Sequence, residues 1–201
     1  MRLKNIRSSN VVWHKNNVSR QDREVLINQK GKVLWLTGLS GSGKSTIANA
    51  LERKLLDAGF LTYLLDGDNL RHGLNGDLGF EEADRKENIR RVIEVSRLFL
   101  DAGIITLISI ISPYMEERKK ARNHIGKDYV EIYVKCPVTI CKTRDPKKLY
   151  EKAEKGEIKN FTGLDSPYEE PVDPEIVLET DKYSVDECVD RVFQYLGITE
   201  E

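Results

Sequence analysis

A chain of 201 residues, 39% hydrophobic and 32% charged, has the size of a single α/β domain around one core. Its 32 basic and 33 acidic side chains leave a formal net charge of −1, which argues against a protein that coats nucleic acid or anionic membrane, so an anionic ligand has to be gripped locally. The longest apolar stretch, 104–111, is too short to span a bilayer, and no apolar run follows Arg2, Lys4 and Arg7; the sequence predicts no membrane segment and no secretory signal, and the expected compartment is the cytoplasm.

Residues 1–30 are polar and read as an N-terminal arm, with a helix over 19–28 that starts at a capping serine and offers Val25 and Leu26 as a small apolar face. The remainder, 31–201, reads as one domain. Residues 32–37 form a short run of β-formers, followed by glycines and then by Ile47, Ala48, Leu51 and Leu55 at helical spacing. A second strand over 60–65 ends at Asp66, and a Gly/Asn-rich loop leads to Phe80. A long helix over 81–102 carries Ile89, Val92, Ile93, Leu98 and Leu100 as its predicted buried stripe and stops at Gly103. Further strands are expected at 104–111, 129–134 and 176–179. Alternating β and α segments imply a parallel sheet of five strands covered on both faces, a three-layer α/β fold. Between 145 and 175 the pattern breaks into a charged helix, 147–157, and a Gly/Pro/acidic stretch; about 145–170 is a candidate lid. Cys136, Cys141 and Cys188 lack C-x-x-C spacing and read as reduced and structural, while His14, His72 and His124 are too scattered for a metal cluster.

Gly38, Leu39, Ser40, Gly41, Ser42, Gly43, Lys44 and Ser45 satisfy G-x-x-x-x-G-K-[ST], with Thr46 next, between a predicted strand and a predicted helix. The mechanism of a P-loop demands that context: the glycines let successive N–H groups face a phosphate, Lys44 charges the β/γ oxygens, and the Ser45 hydroxyl is offered to Mg²⁺. ATP and Mg²⁺ are therefore the expected cofactors, and the fold is expected to be that of the P-loop NTPases. No N-K-x-D segment for guanine is present, and the chain is short for motor ATPases. Asp66 and Asp68 stand at the end of the second strand, where ligands of α/β sheets gather. One of them can accept a proton from an attacking hydroxyl while the other orients magnesium, or both can simply close an Asp/Asn turn.

With these residues in view, the chain resembles the adenylylsulfate kinases. The similar segments are 38–46, Asp66-Gly67-Asp68-Asn69-Leu70-Arg71, Gly73-Leu74, Leu78-Gly79-Phe80, Asp84-Arg85-Lys86-Glu87-Asn88-Ile89-Arg90-Arg91 and Ile111-Ser112-Pro113-Tyr114. In the lid region they are Arg144-Asp145-Pro146-Lys147-Lys148-Leu149-Tyr150, Gly156-Glu157-Ile158-Lys159, Phe161-Thr162-Gly163 and Pro167-Tyr168-Glu169, so the resemblance covers roughly 13–175. It implies transfer of the ATP γ-phosphoryl to the 3′-hydroxyl of adenosine 5′-phosphosulfate in sulfate assimilation, by a cytoplasmic homodimer with neither a nucleic-acid nor a membrane partner. It also implies that Arg71, Arg85 and Asn88 hold the phosphosulfate, that Phe80 and Phe161 sandwich the adenine, and that Arg144 lies near the nucleotide. Phe80 and Phe161 can equally serve the core. Ser112 matches a serine assigned in that family as a phosphorylated intermediate, but no histidine or lysine is placed by sequence to activate it, and direct attack with Asp68 as base needs no covalent step. Lys148 stands where a glycine is frequent in the family, and Ser109-Ile110 also departs from its commonest wording. The competing readings are a P-loop kinase for another small acceptor and a nucleotide-binding module without catalysis.

Overall fold

The computed structural model describes residues 10–198 of the chain; the first nine residues of the predicted arm, with Arg2, Lys4 and Arg7, lie outside the described residues, as do 199–201. Five strands, β1 (Lys32–Thr37), β2 (Thr62–Asp66), β3 (Ile105–Ser109), β4 (Tyr129–Lys135) and β5 (Ile176–Glu179), form one parallel sheet in the order β2-β3-β1-β4-β5. The strand order reverses at β1, so the crevice at its C-terminal end is the topological switch point of the sheet.

Alternation along the strands builds both outer layers. Leu34 and Leu36, Ile105 and Leu107, and Val130, Ile132 and Val134 point to one face, where α2 (Lys44–Asp57) and α8 (Val185–Leu196) cover them with Ile47, Leu51, Leu55, Val189, Val192 and Phe193. Val33, Trp35, Leu65, Ile108 and Ile110 point to the other, against Ile89, Val92 and Ile93 of α4 (Glu82–Asp101) and Ala121 and Ile125 of α5 (Met115–Ile125). The three-layer P-loop architecture expected from the sequence is the one observed. A third, smaller cluster, Cys136, Cys141, Tyr150 and Phe161, forms within the candidate lid region and beside it, where α6 (Val138–Arg144) meets α7 (Leu149–Glu154).

Three local expectations need correction. The apolar face assigned to the first helix is on the outside: in α1 (Arg20–Leu26) Val25 and Leu26 are 70% and 85% exposed, and the buried residue is Glu24. Glu24 goes inward because its charge is met by Arg20 (2.7 Å), Lys30 (2.8 Å) and the Gly31 amide (3.2 Å), which hold its pKa at about 2. In α4 Leu98 is 72% exposed, and the stripe runs through Ser96, whose hydroxyl is satisfied by the carbonyl of Val92 at 2.6 Å. The charged helix predicted over 147–157 is shorter, because Lys148 stands in the left-handed region at φ 53° and cannot open a helix from within. Asp145 caps α7 instead, accepting from the amides of Leu149 (2.8 Å), Tyr150 (3.0 Å) and Glu151 (3.2 Å).

Among the described residues no helix is long and apolar enough to cross a membrane. All three cysteines are free and buried, and burial raises the Cys141 thiol to about 12, so it packs as a small apolar group.

Candidate active site

Strand register assembles the floor of the crevice. Asp66, the last residue of β2, pairs with Ser109 of β3, and Ser109 pairs with Leu36 of β1, so the ends of three adjacent strands lie level. The loop that follows β1 then turns over them into α2. Gly38 passes so close to β4 that an added Cβ would lie 2.4 Å from the Val134 carbonyl, and at Gly41, φ 74°, one would lie 2.8 Å from the Cys141 carbonyl. The loop therefore owes its course to glycine at both points.

The Lys44 ammonium donates to the Leu39 carbonyl at 2.7 Å across the loop. The residue is 8% exposed, and burial lowers its pKa to about 8, with Asp66 opposing the shift and Lys147 reinforcing it. The Ser45 hydroxyl donates to Asp66 Oδ2 at 2.7 Å and lies 3.2 Å from the Ser109 hydroxyl, so two hard oxygen donors from separate elements meet at the mouth of the loop. Asp66 Oδ1 accepts from the Asp68 amide at 3.0 Å, capping the short α3 (Gly67–Arg71). The turn-closing role foreseen for the pair thus falls to Asp66, which faces Ser45 as well. Asp68 projects beyond it, exposed, and its Oδ2 is paired with the Lys147 ammonium from the lid.

A cavity of about 1170 Å³ runs from the loop past Asp68 to the start of α4, lined by Lys44, Ser45, Asp66, Asp68, Arg71, Phe80, Arg85, Asn88, Ser112, Arg144 and Phe161 among others. The structure thus gathers most of the expected site residues around one space; Gly38, Leu39 and Ser42 do not line it, Leu39 packing against the Cys136–Tyr150 cluster and Ser42 lying buried. Arg71 donates to the carbonyls of Leu78 (2.9 Å) and Gly79 (3.0 Å) and lays its guanidinium 4.1 Å from the centre of the Phe80 ring. Burial, and then the neighbouring Arg85, lower the Arg71 pKa. Arg85 reaches Phe80 O (2.8 Å), Thr162 Oγ1 (2.7 Å) and the Asn160 carbonyl, so it fastens the 160–162 segment of the candidate lid to the head of α4. Asn88 is buried and accepts from Asn75 Nδ2 at 2.9 Å.

The two aromatics differ. Phe80 is 61% exposed at the cavity rim, while Phe161 is 8% exposed and set edge-on to Tyr150, with ring centres 4.9 Å apart. Ser112 is buried, at φ 42°, and its hydroxyl accepts from Trp35 Nε1 at 3.1 Å. Arg144 donates to Thr180 Oγ1 (3.1 Å) and the Thr180 carbonyl (2.5 Å), and Thr180 Oγ1 in turn donates to the Ser42 carbonyl at 2.8 Å. Tyr150 braces the same loop through Ser40 O at 3.0 Å.

No site role is assigned to Thr180, Ser109, Tyr150 or Lys147 from the sequence alone. Ser109 ends β3 and Thr180 follows β5, and position at a strand end is the available signal; Lys147 and Tyr150 stand within the segment 144–150 that carries the family resemblance.

The family model for adenylylsulphate kinase matches residues 30–179. An adenylyl-sulfate kinase of Clostridium acetobutylicum is 60% identical over 194 residues, 96% of this chain and 97% of that protein. One of Clostridium kluyveri is 56% identical over 193 residues, again 96% and 97%. Among solved structures, the Mycobacterium tuberculosis APS kinase CysC in complex with AMPPNP and APS superposes with a TM-score of 0.80 at 49% identity, covering 84% of this chain and 99% of that one.

Proposed function

This chain belongs to the adenylylsulphate kinase family, and we propose that its residues transfer the γ-phosphoryl of ATP to the 3′-hydroxyl of adenosine 5′-phosphosulfate, giving 3′-phosphoadenylyl sulfate and ADP in sulfate assimilation. The observation that carries the reading is convergence on one cavity: a phosphate loop, two carboxylates at the end of β2, and two arginines with an asparagine by α4. A nucleotide donor, an attacking hydroxyl and a doubly anionic acceptor need those three groups in that neighbourhood.

The loop 38–46 holds the ATP phosphates, with Lys44 facing the β/γ oxygens and Arg144 flanking the nucleotide side. Ser45 and Asp66 are hard oxygen donors 2.7 Å apart at an open cleft, a set that suits magnesium shared with phosphate oxygens. When bound, the ion supplies positive charge to the β and γ oxygens. Asp68, at the lip between loop and acceptor pocket, accepts the proton of the 3′-hydroxyl. Arg71, Arg85 and Asn88 bind the phosphosulfate; Phe80 offers a stacking face to the adenine, and Phe161 forms the back wall. Ser112 carries no phosphoryl group: its buried hydroxyl accepts from Trp35 Nε1, and among the described residues no basic side chain hydrogen-bonds to it. The lid, about 145–170, closes over both substrates and excludes water. The protein works as a homodimer in the cytoplasm, and the arm is the segment preceding the domain at 31.

Incubating the protein with γ-labelled ATP and Mg²⁺, with adenosine 5′-phosphosulfate, AMP or no acceptor, tests this directly. Label in 3′-phosphoadenylyl sulfate, lost in Asp68→Asn, supports acceptor and base together. Transfer to AMP alone, or none above background, sinks the proposal.

A further inference from the structure

The turn Ile111-Ser112-Pro113, just past the end of β3, walls the cavity that Asp68, Arg71 and Arg85 also line. Ser112 holds a left-handed backbone, at φ 42°, which a residue with a side chain keeps only where the surroundings over-determine it. Three buried donors do so: Trp35 Nε1 to the Ser112 hydroxyl (3.1 Å), Thr37 Oγ1 to the Ile111 carbonyl (2.6 Å), and Arg118 Nη1 to the Ser112 carbonyl (2.7 Å).

Arg118 does more than close that turn. It is 2% exposed, its Nε donates to Glu131 Oε1 at 2.8 Å, and its Nη2 donates to the Glu169 carbonyl at 2.6 Å. One buried fork thus grips the wall with one arm and the root of the lid with the other, while Glu131 balances its charge. Glu169 returns the tie: its amide donates to the Pro113 carbonyl at 2.9 Å, and its carboxylate accepts from the Met115 amide at 2.6 Å, capping a helix whose own N-cap residue, Tyr114, makes no side-chain cap. The phosphate loop is braced from elsewhere, by Thr180, Arg144 and Tyr150.

We propose that Arg118 is a positioning residue for the acceptor: it sets the Ile111–Pro113 wall and the lid root in one register, and so governs acceptor binding without governing nucleotide binding. The proposal rests on the assignment of that wall to the acceptor. A lysine keeps the charge but cannot reach Glu131 and two backbone carbonyls in one plane. In steady-state assays, Arg118→Lys is expected to raise the acceptor KM about tenfold, the loss of one charged hydrogen bond, with the ATP KM within about twofold of wild type. Equal rises in both, or no change in either, would overturn the proposal. Where Arg118→Lys does not fold, the exposed Glu169 serves: Glu169→Ala is expected to raise the acceptor KM by about threefold, and Glu169→Gln, which keeps an oxygen for the Met115 amide, is expected to leave it near wild type. Identical acceptor KM values in the two Glu169 variants would equally refute it. The wild-type rate with adenosine 5′-phosphosulfate tests the proposed function by itself, and the ratio of variant to wild type tests Arg118.

Discussion

Lys44 makes a prediction that reads the phosphate loop before any chemistry occurs. Burial lowers its ammonium to about 8, so near pH 8 about half of the unliganded molecules carry a neutral lysine in the loop. A phosphate seated there places anionic oxygens beside Nζ and restores the proton. Binding of ATP should then take up about 0.5 proton near pH 8, about 0.1 near pH 7 and about 0.9 near pH 9. Titration calorimetry in two buffers of different ionisation enthalpy reads that number from the difference in apparent heat, and above pH 8 the nucleotide phosphates are already ionised. Affinity should weaken toward tenfold per pH unit above the lysine's pKa. The sign for stability is opposite: the folded pKa of about 8 lies below the ordinary 10.5, so between these values the unfolded chain binds more protons and the unliganded fold gains stability as pH rises. Uptake should vanish in Lys44→Met. Heats independent of buffer in the parent protein, or uptake that persists in Lys44→Met, would refute the assignment of the buried ammonium.

Three further substitutions separate support from chemistry. Ser112→Ala strands the buried Trp35 Nε1 and should cost about 1–3 kcal/mol in denaturant unfolding, while turnover stays within a few-fold of wild type; phosphoserine trapped in the parent enzyme would contradict this. Asp145→Ala removes three amide partners at the start of α7 and should loosen the lid by about 1–2 kcal/mol, seen as faster proteolysis near 145–157 with an almost unchanged melting temperature. Lys148→Gly, by contrast, releases a left-handed backbone and should slow the same cleavage by up to the equivalent of about 1 kcal/mol.

Strands were legible wherever local composition and packing agreed. Lys32–Thr37 and Ile176–Glu179 stand where the β-rich runs placed them, because both are short and bounded by turn chemistry. The helix faces were less so. Leu98 was assigned inward on hydrophobicity, yet the angular period through Ile89, Val92 and Ile93 leads to Ser96, and a hydroxyl that bonds its own helix can be buried at little cost. Glu24 is the same lesson with a charge, since its burial depends on Lys30 and Gly31 beyond the helix. At the candidate site, the phosphate loop and the Asp66/Asp68 pair were visible as contiguous patterns. Thr180, Ser109 and Arg118 were not, for their partners are fixed by sheet register and by chain returning from far along the sequence.

That division also explains why the clamp residues, readable one by one, do not stand free. Asp68 is paired with Lys147, Arg85 with Thr162 and the Asn160 carbonyl, and Arg71 with two loop carbonyls and the Phe80 face. Arg71 and Arg85, side by side at one end of the cavity, are each held by backbone carbonyls of the chain itself. The Asp68–Lys147 link is solvent-exposed on both sides, which limits it to about 0–1 kcal/mol. On the proposed assignment, an entering phosphosulfate would exchange the carbonyl acceptors of Arg71 and Arg85 for anionic oxygens, so that both partners of each bond are ionised. Because Arg85 ties α4 to the Asn160 carbonyl and Lys147 ties the other end of the proposed lid to Asp68, the same exchange would free that segment to move as the acceptor arrives, coupling occupancy of the clamp to the position of the cover.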